Sequence, residues 1–380
     1  MRIVVAPDSF KESMTACEVT EAIYSGIKAV SPNWEVIKVP LADGGEETAS
    51  LISKYKKATC KKAVVTGPLG ERREIKYGMT KDRTVIFDVA EIIGLQHIPK
   101  NFRNPLMTTS YGVGELIRYH LDRGNTNFII GLGGSATNDG GLGMLQALGL
   151  QALDNEGKEV IRGGKGLLQL AQLKTNFLDK RLGISTFTIV HDVKNRLLGR
   201  DGATFTFAKQ KGADLEMCKQ LEQGMVKYAN LVEHISNRRI KEVDGLGAAG
   251  GLATAFYAFT EANFRLGIDY MLEVSRLEEK LANCHLVITG EGKIDEQTLH
   301  GKTIYGVAQK ATLHSVPVIA LVGANELPAE KLDEVGLRAV FPIVTKPMPL
   351  EEAIKKGERL IETTTKQITR LLLTNELFIK

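Results

Sequence analysis

The sequence predicts an α/β protein: a Rossmann-like parallel sheet of about six strands, with a second, smaller α/β domain. Three observations carry this expectation. Short β-branched runs end in glycine, aspartate or asparagine and lead into amphipathic stretches, the rhythm of a parallel sheet wrapped by helices. Glycine makes up 38 of 380 residues and gathers in the loops after those runs, where backbone turns tightly or approaches a ligand. A chain of 380 residues also exceeds the ~250–300 at which a single hydrophobic core stops growing, so two domains are expected.

Taken in order, residues 2–6 read as a strand that runs into Pro7-Asp8-Ser9 and then an amphipathic helix over 16–30. A strand at 35–40 leads through Ala42-Asp43-Gly44-Gly45 to a helix at 46–55. Residues 61–104 alternate instead, with strands at 73–77 and 84–89 set off by Gly-Pro and Lys-Asp turns. A strand at 127–132 enters Gly133-Gly134-Ser135 and a helix over 141–148. Residues 151–284 mix strands at 187–190 and 204–207, a helix over 214–235, and glycine loops. Strands at 285–289 and 316–322 end in Gly290-Glu291-Gly292 and Gly323-Ala324-Asn325, and a sixth at 339–344 lies between two helical segments. The expected first domain is therefore 1–60 with 105–150 and 285–380. The second, 61–104 with 151–284, is inserted in two pieces.

Composition excludes several classes. Apolar residues at 43% and charged residues at 25% describe a globular chain rather than a disordered one. Lys plus Arg exceeds Asp plus Glu by only 49 to 45, too small an excess for a nucleic-acid binder. Cys17, Cys60, Cys218 and Cys284 form no C-x-x-C pair, so neither a zinc site nor a disulfide framework is expected. The first residues lack the apolar core of a signal peptide, and no run approaches the ~18–20 apolar residues of a membrane span. A cytoplasmic protein with no membrane partner is expected.

Six motifs could carry chemistry. In 6–11, Asp8 and Ser9 stand at a strand's carboxyl end, where open parallel sheets bind ligands, with Lys11 in reach; equally, Asp8 or Ser9 caps the following helix. In 41–46, Asp43 could hold magnesium or accept a hydroxyl proton, or simply form an Asp-Gly turn. The sharpest is 130–143, where five glycines fall within residues 131–141 and Ser135, Thr137, Asn138 and Asp139 lie among them. A strand running into such a loop and then a helix presents backbone N–H groups and hydroxyls to an anion. The same stretch matches G-x-G-x-x-A, a weak dinucleotide signal when alone. Residues 244–253 contain G-x-G-x-x-G without a clear preceding strand, so a ligand-facing helix start and close helix packing are equal readings. In 288–295, Glu291 and Asp295 flank Lys293, a set suited to metal plus phosphate or to a solvated loop. Gly301-Lys302-Thr303 looks like the tail of a P-loop, but Glu296 stands where its first glycine belongs. His191 beside Asp192, with Asn195 near, is either base chemistry or a satisfied structural histidine.

Together these motifs resemble the bacterial glycerate kinase family. The resemblance rests on A-P-D-S-F-K-E-S, A-D-G-G-E, V-T-G-P-L-G (65–70), T-S-Y-G-V-G-E-L-I (109–117), G-G-S-A-T-N-D-G-G, Q-K-G-A (210–213), G-A-A-G-G and I-T-G-E-G-K-I-D with H-G-K, in that order over residues 1 to about 345. It implies transfer of the γ-phosphoryl group of ATP to D-glycerate, giving 2-phosphoglycerate in preference to the 3-phosphate. It also implies a Rossmann-like domain, a smaller α/β domain and an active site in the cleft between them.

On that reading Gly133, Gly134, Ser135, Thr137 and Asn138 bind phosphate or nucleotide. Asp139, Glu291 and Asp295 hold Mg²⁺ or its waters, and Lys11 and Lys293 neutralise charge. Asp8, Ser9, Asn195 and Lys211 meet substrate. Asp192 is the expected base, with Asp43 as alternative. The partners are glycerate and ATP, and the chain acts as monomer or homodimer. The sequence departs from the family pattern at Glu47, Lys194, Arg196, Ala208 and Lys209, while Asp192, Asn195, Gln210 and Lys211 are kept. Two rival readings are a nucleotide-cofactor oxidoreductase, from the glycine fingerprints, and a regulatory protein that binds glycerate without turnover.

Overall fold

The structure is a computed structural model that describes residues 1–296, 298 and 302–378, with side chains through residue 374. His300 and Gly301 of the H-G-K motif lie outside the described residues. The chain divides into two compact units, Met1–Asp43 with everything from Gly267 onward, and Gly44–Leu266.

The first unit is built on β1 (Arg2–Val5), β2 (Glu35–Lys38), β11 (Leu286–Ile294), β12 (Val318–Asn325) and β13 (Ala339–Pro342). Their order in the sheet is β13-β12-β11-β1-β2, and every pair is parallel. Ile3, Val4 and Val5 are fully buried, as expected for a strand covered on both faces. The helix Ala16–Val30 starts in a capping box: Glu18 N–H donates to Thr15 Oγ1, and Thr15 N–H donates to Glu18 Oε2. It packs on the helix Gly357–Phe378, where Gly26 matters because a Cβ there would stand 2.7 Å from the Thr365 Cβ. Ile23, Ile27, Ile288, Leu321 and Ile361 join the strands in one core.

The second unit holds β3 (Thr59–Thr66), β4 (Arg72–Met79), β5 (Val85–Asp88), β6 (Asn127–Gly131), β9 (Thr186–His191) and β10 (Ala262–Leu266) in the order β10-β9-β6-β5-β4-β3. β3, β4 and β5 form an antiparallel meander, and β5, β6, β9 and β10 run parallel. β7 (Gln151–Leu153) and β8 (Gln172–Lys174) make a separate antiparallel ribbon. Phe128 stacks on Phe187 at 5.0 Å between ring centres, and Phe256 tilts against Phe187 in the same core.

Four expectations change. β6 belongs to the second sheet, not the first, so residues 44–60 and 105–150 fall in the second unit, and that unit is one continuous insertion, the larger of the two. A buried parallel strand has the same apolar pattern in either sheet; only its pairing partners distinguish them. Residues 203–207 form a short helix, Ala203–Phe207, rather than a strand, because packing overrides the β-branched and aromatic propensity of Thr204 to Phe207. The expected loops at 290–292 and 323–325 are strand: Glu291 pairs with Val322, and Ile294 with Asn325. Glycine permits this, since a Cβ at Gly290 would lie 2.4 Å from the Leu321 carbonyl oxygen and one at Gly323 2.5 Å from that of Gly292. Among the described residues no helix is long and apolar enough to cross a membrane.

Candidate active site

In the five-stranded sheet the chain steps one way from β1 to β2 and the other way from β11 through β12 to β13. The reversal lies between β1 and β11, and open α/β sheets bind ligands at the carboxyl ends of the strands beside such a reversal. Two buried acids stand there. Asp8 follows β1, its N–H bonded to the Gly290 carbonyl at 2.8 Å. Its Oδ1 accepts Ser9 N–H at 2.6 Å and Ser9 Oγ at 3.2 Å, while Oδ2 accepts the Thr303 hydroxyl. Because Thr15 caps the next helix, Asp8 and Ser9 are not spent on that task. Burial, then the neighbouring Asp43 charge, pushes the Asp8 carboxyl up to about 7. Glu291, within β11, accepts the Thr298 hydroxyl at 3.0 Å. Burial pushes it up to about 7 as well, opposed by Lys302 and Thr298 and reinforced by Asp8 and Asp43.

Around this pair Asp43 is half-buried and Lys11 exposed. Asp295 sits 3.5 Å from Lys293 and 3.9 Å from Lys302. Lys293, exposed, is held chiefly by Glu326 at 2.7 Å. Sequence reasoning missed Thr298, Lys302 and Thr303. The signal was present in Lys302-Thr303 at a helix start, set aside because it failed the P-loop pattern; Thr303 in fact opens the helix Thr303–Leu313 and anchors Asp8.

The glycine loop lies in the second unit and divides in two. Its first half is open to a ligand: the N–H groups of Gly133, Gly134 and Ser135 have no acceptor among the described residues. Gly133 lets the loop lie against Gly45, whose Cα would be 2.7 Å from a Cβ at 133. Lys211, almost wholly buried, donates to Ser135 Oγ at 3.1 Å and to the Thr137 carbonyl at 2.7 Å. Burial lowers its pKa to about 7, and Asp139 opposes that fall. Lys211 was expected to meet substrate; it is instead built into the loop, with two of its three ammonium donors used.

The second half is structural. Asp139 is fully buried and accepts Ser110 N–H at 2.8 Å, Ser110 Oγ at 2.9 Å, Gly141 N–H at 3.1 Å and Gly143 N–H at 3.3 Å. This corrects the expectation of a metal ligand, because those four donors commit the carboxylate to the loop. It also corrects the expectation of an anion at the next helix start: the helix Leu142–Ala147 has six residues, and Asp139 already answers its first N–H groups. Thr137 and Asn138 are fully buried; Asn138 Nδ2 donates to Thr204 Oγ1 at 3.2 Å. Thr137 Oγ1 and Asn138 Oδ1 are buried without a hydrogen-bond partner among the described residues.

The 244–253 motif is the packing partner of that half. A Cβ at Gly250 would stand 2.0 Å from the Thr137 carbonyl oxygen, and one at Gly251 would stand 3.0 Å from Gly140 Cα. His191 is buried, with Nδ1 2.9 Å from the Val193 carbonyl, and burial lowers its pKa; it is a structural histidine. Asn195, expected at substrate, braces its own loop through Asp201 O at 2.7 Å and Thr206 Oγ1 at 3.4 Å. Asp192 is exposed at the end of β9. Asp88, not anticipated, is a buried acid that accepts Ala49 N–H at 3.1 Å and is pushed up to about 7 by burial.

The carboxylates and hydroxyls of the first unit are hard oxygen donors with no soft ligand among them, a set that suits Mg²⁺. Two acids held near 7 by burial, with the Asp43 charge adding to the rise in both, fit a site that gains from a cation. No group of three or more His, Cys, Asp or Glu among the described residues is disposed to enclose a metal. That agrees with an ion held by one or two carboxylates and the phosphates of a nucleotide.

The Glycerate kinase family model matches residues 3–373. Glycerate kinase of Bacillus subtilis (strain 168) is 43% identical over 369 residues, covering 97% of each chain. Glycerate 2-kinase of Escherichia coli (strain K12) is 41% identical over 356 residues, 93% of each chain. A crystal structure assigned as glycerate kinase 2 from Salmonella typhimurium LT2 superposes with a TM-score of 0.84 at 41% identity, covering 99% of both chains. With its carboxylate pair at the strand reversal and its open glycine loop, this chain belongs to the glycerate kinase family.

Proposed function

We propose that the chain transfers the γ-phosphoryl group of ATP to the 2-hydroxyl of D-glycerate, with Mg²⁺ as cofactor, to give 2-phosphoglycerate. The observation that carries this reading is identity above 40% over nearly the whole length to proteins named glycerate kinase and, in one case, glycerate 2-kinase. Phosphoryl transfer asks a protein for positioning and charge neutralisation rather than covalent chemistry. The N–H groups of Gly133, Gly134 and Ser135 are assigned to phosphate oxygens. Glu291 and Asp295 are assigned to Mg²⁺ or its waters, where the ion would offset the charge of the transferring group. Lys11, Lys302 and Lys293 neutralise further charge. Ser9 and Asp192 orient glycerate. The chain works in the cytoplasm as monomer or homodimer; four cysteines outside any disulfide support a reducing compartment.

The test is NMR of the product formed from ATP, Mg²⁺ and D-glycerate. Phosphorus coupled to the C2 proton is expected; coupling to the C3 protons would assign the 3-phosphate, and no product would refute the reading. Excess EDTA is expected to abolish turnover, and NAD(P) to leave both turnover and melting temperature unchanged.

Ser135→Ala is expected to lower kcat/KM about 10–100-fold, the loss of one hydrogen bond to a charged group. Stability should fall only slightly, since Lys211 keeps the Thr137 carbonyl. A mutant that melts early yet turns over normally would make Ser135 purely structural.

A further inference from the structure

We infer that Arg103 is a positioning residue for phosphate binding, acting through Lys211: its guanidinium ties the segment that carries Lys211 to the segment that pairs with the open half of the glycine loop. The role rests on the phosphoryl-transfer reading above.

The open half-loop is held from two sides. On one side lies the stretch 93–95. Ala136 N–H donates to the Ile93 carbonyl at 2.7 Å, and Leu95 N–H donates to the Gly134 carbonyl at 3.0 Å, with Gly94 bridged antiparallel to Ser135. On the other side Lys211 holds Ser135 Oγ and the Thr137 carbonyl. Neither flank is a long element. The first is an isolated bridge, and Lys211 ends a three-residue turn, Lys209–Lys211. The two flanks lie more than a hundred residues apart in the chain, so something must fix one against the other.

Arg103 does so. Its Nη2 donates to the Leu95 carbonyl at 3.2 Å, its Nε to the Ile98 carbonyl at 3.3 Å and its Nη1 to the Gln210 carbonyl at 3.5 Å. Leu95 is thereby held at both ends, by Gly134 at its N–H and by Arg103 at its carbonyl. The Arg103 backbone meets the other neighbour of Lys211. Gly212 has φ +96°, and a Cβ there would stand 2.2 Å from the Arg103 carbonyl oxygen. Arg103 therefore touches the residues on either side of Lys211. Three nitrogens in one rigid plane can serve three carbonyls at once; the single ammonium of a lysine cannot span them. A buried ammonium points wherever its backbone aims it, and a misplacement of ~1 Å at a binding group costs up to ~10²-fold.

The experiment measures sulfate affinity by calorimetry below pH 7, where Lys211 carries its charge, together with KM for ATP. The proteins are wild type, Arg103→Lys, Arg103→Met, Lys211→Met and the double variant Arg103→Met with Lys211→Met. Each Arg103 variant is expected to weaken sulfate binding and raise KM for ATP about tenfold or more. On the Lys211→Met background, Arg103→Met should change either quantity less than about twofold, because a residue acting through Lys211 has nothing left to place. An equal loss in both backgrounds would overturn the proposal, since Arg103 would then act independently of Lys211. So would Arg103→Lys with wild-type affinity, which would make charge alone sufficient. A lowered melting temperature with unchanged sulfate affinity and KM would overturn it as well, leaving Arg103 a tie of the fold only. If Arg103→Met fails to fold by circular dichroism, Arg103→Lys in the two backgrounds decides; if both fail, the role is structural and the proposal falls. Wild type that binds no sulfate would refute the anion site and the proposal with it. Wild type that binds sulfate but forms no phosphoglycerate would instead refute the underlying reaction.

Discussion

Lys211→Met should lower kcat/KM about 10²-fold or more while the protein still folds. Methionine matches the length of the lysine stem and tolerates burial, so the core keeps its volume. What disappears is the ammonium that holds Ser135 Oγ and the Thr137 carbonyl on one side of the open half-loop. Its third donor and its charge go too. A pH test separates electrostatics from shape. Burial has lowered Lys211 to about 7, so its charge fades as pH rises through that value. An anion beside it favours the charged form, and binding draws in a proton. Sulfate does not titrate in this range, so its affinity measured by calorimetry should fall as pH climbs past about 7 in wild type. Lys211→Met should bind sulfate weakly at every pH. If mutant and wild type show the same pH dependence, the loop's anion site does not involve Lys211.

Gly250→Ala should be strongly destabilising to the second unit. Gly250 has φ +65°, where an L-residue costs about 1–2 kcal/mol. The added Cβ would also stand 2.0 Å from the Thr137 carbonyl oxygen, which is backbone and cannot turn aside. Overpacking of that kind costs about 1–3 kcal/mol. A fall in melting temperature of roughly 5–15 °C is expected for a unit of this size. Gly183→Ala is the control, because nothing lies within 4 Å of a Cβ there and its φ is not positive. If the two variants melt together, the two glycine loops are not packed as described. Activity should fall with Gly250→Ala as well, since the Thr137 carbonyl that the methyl displaces is the one Lys211 holds.

Most of the candidate site was legible as residue types at or just beyond the predicted strand ends. The A-P-D-S run gave Asp8 its place at a strand end, and I-T-G-E gave Glu291 its place near one. Their partners were not legible. Thr303 stands 295 residues from Asp8, and nothing in either local pattern ties the two. The glycine loop at 131–141 was legible as unusual, but not that it is half ligand-facing and half packed. Its second half is explained by Gly250 and Gly251, more than a hundred residues away. The T-S-Y-G-V-G-E-L-I motif is likewise tertiary. A Cβ at Gly112 would lie 1.9 Å from the Thr66 carbonyl oxygen, and Glu115 Oε2 accepts Thr66 N–H at 2.5 Å.

By itself the sequence determined what depends on short spans of chain: the alternation of strand and helix, the glycine turns, the hard-oxygen character of the site and the family. Those properties follow from periodicity, backbone freedom and side-chain chemistry, which are local. Only the tertiary structure decided which sheet β6 joins, that Thr15 rather than Asp8 caps the first helix, and that Asp139 serves the loop instead of a metal. For the strand and the carboxylate the physical reason is the same: a buried group takes whichever partners complete its hydrogen bonds, and β9 for β6 and Ser110 for Asp139 lie well along the chain. For the cap the reason is local, since Thr15 stands immediately before the helix and its hydroxyl reaches the Glu18 N–H.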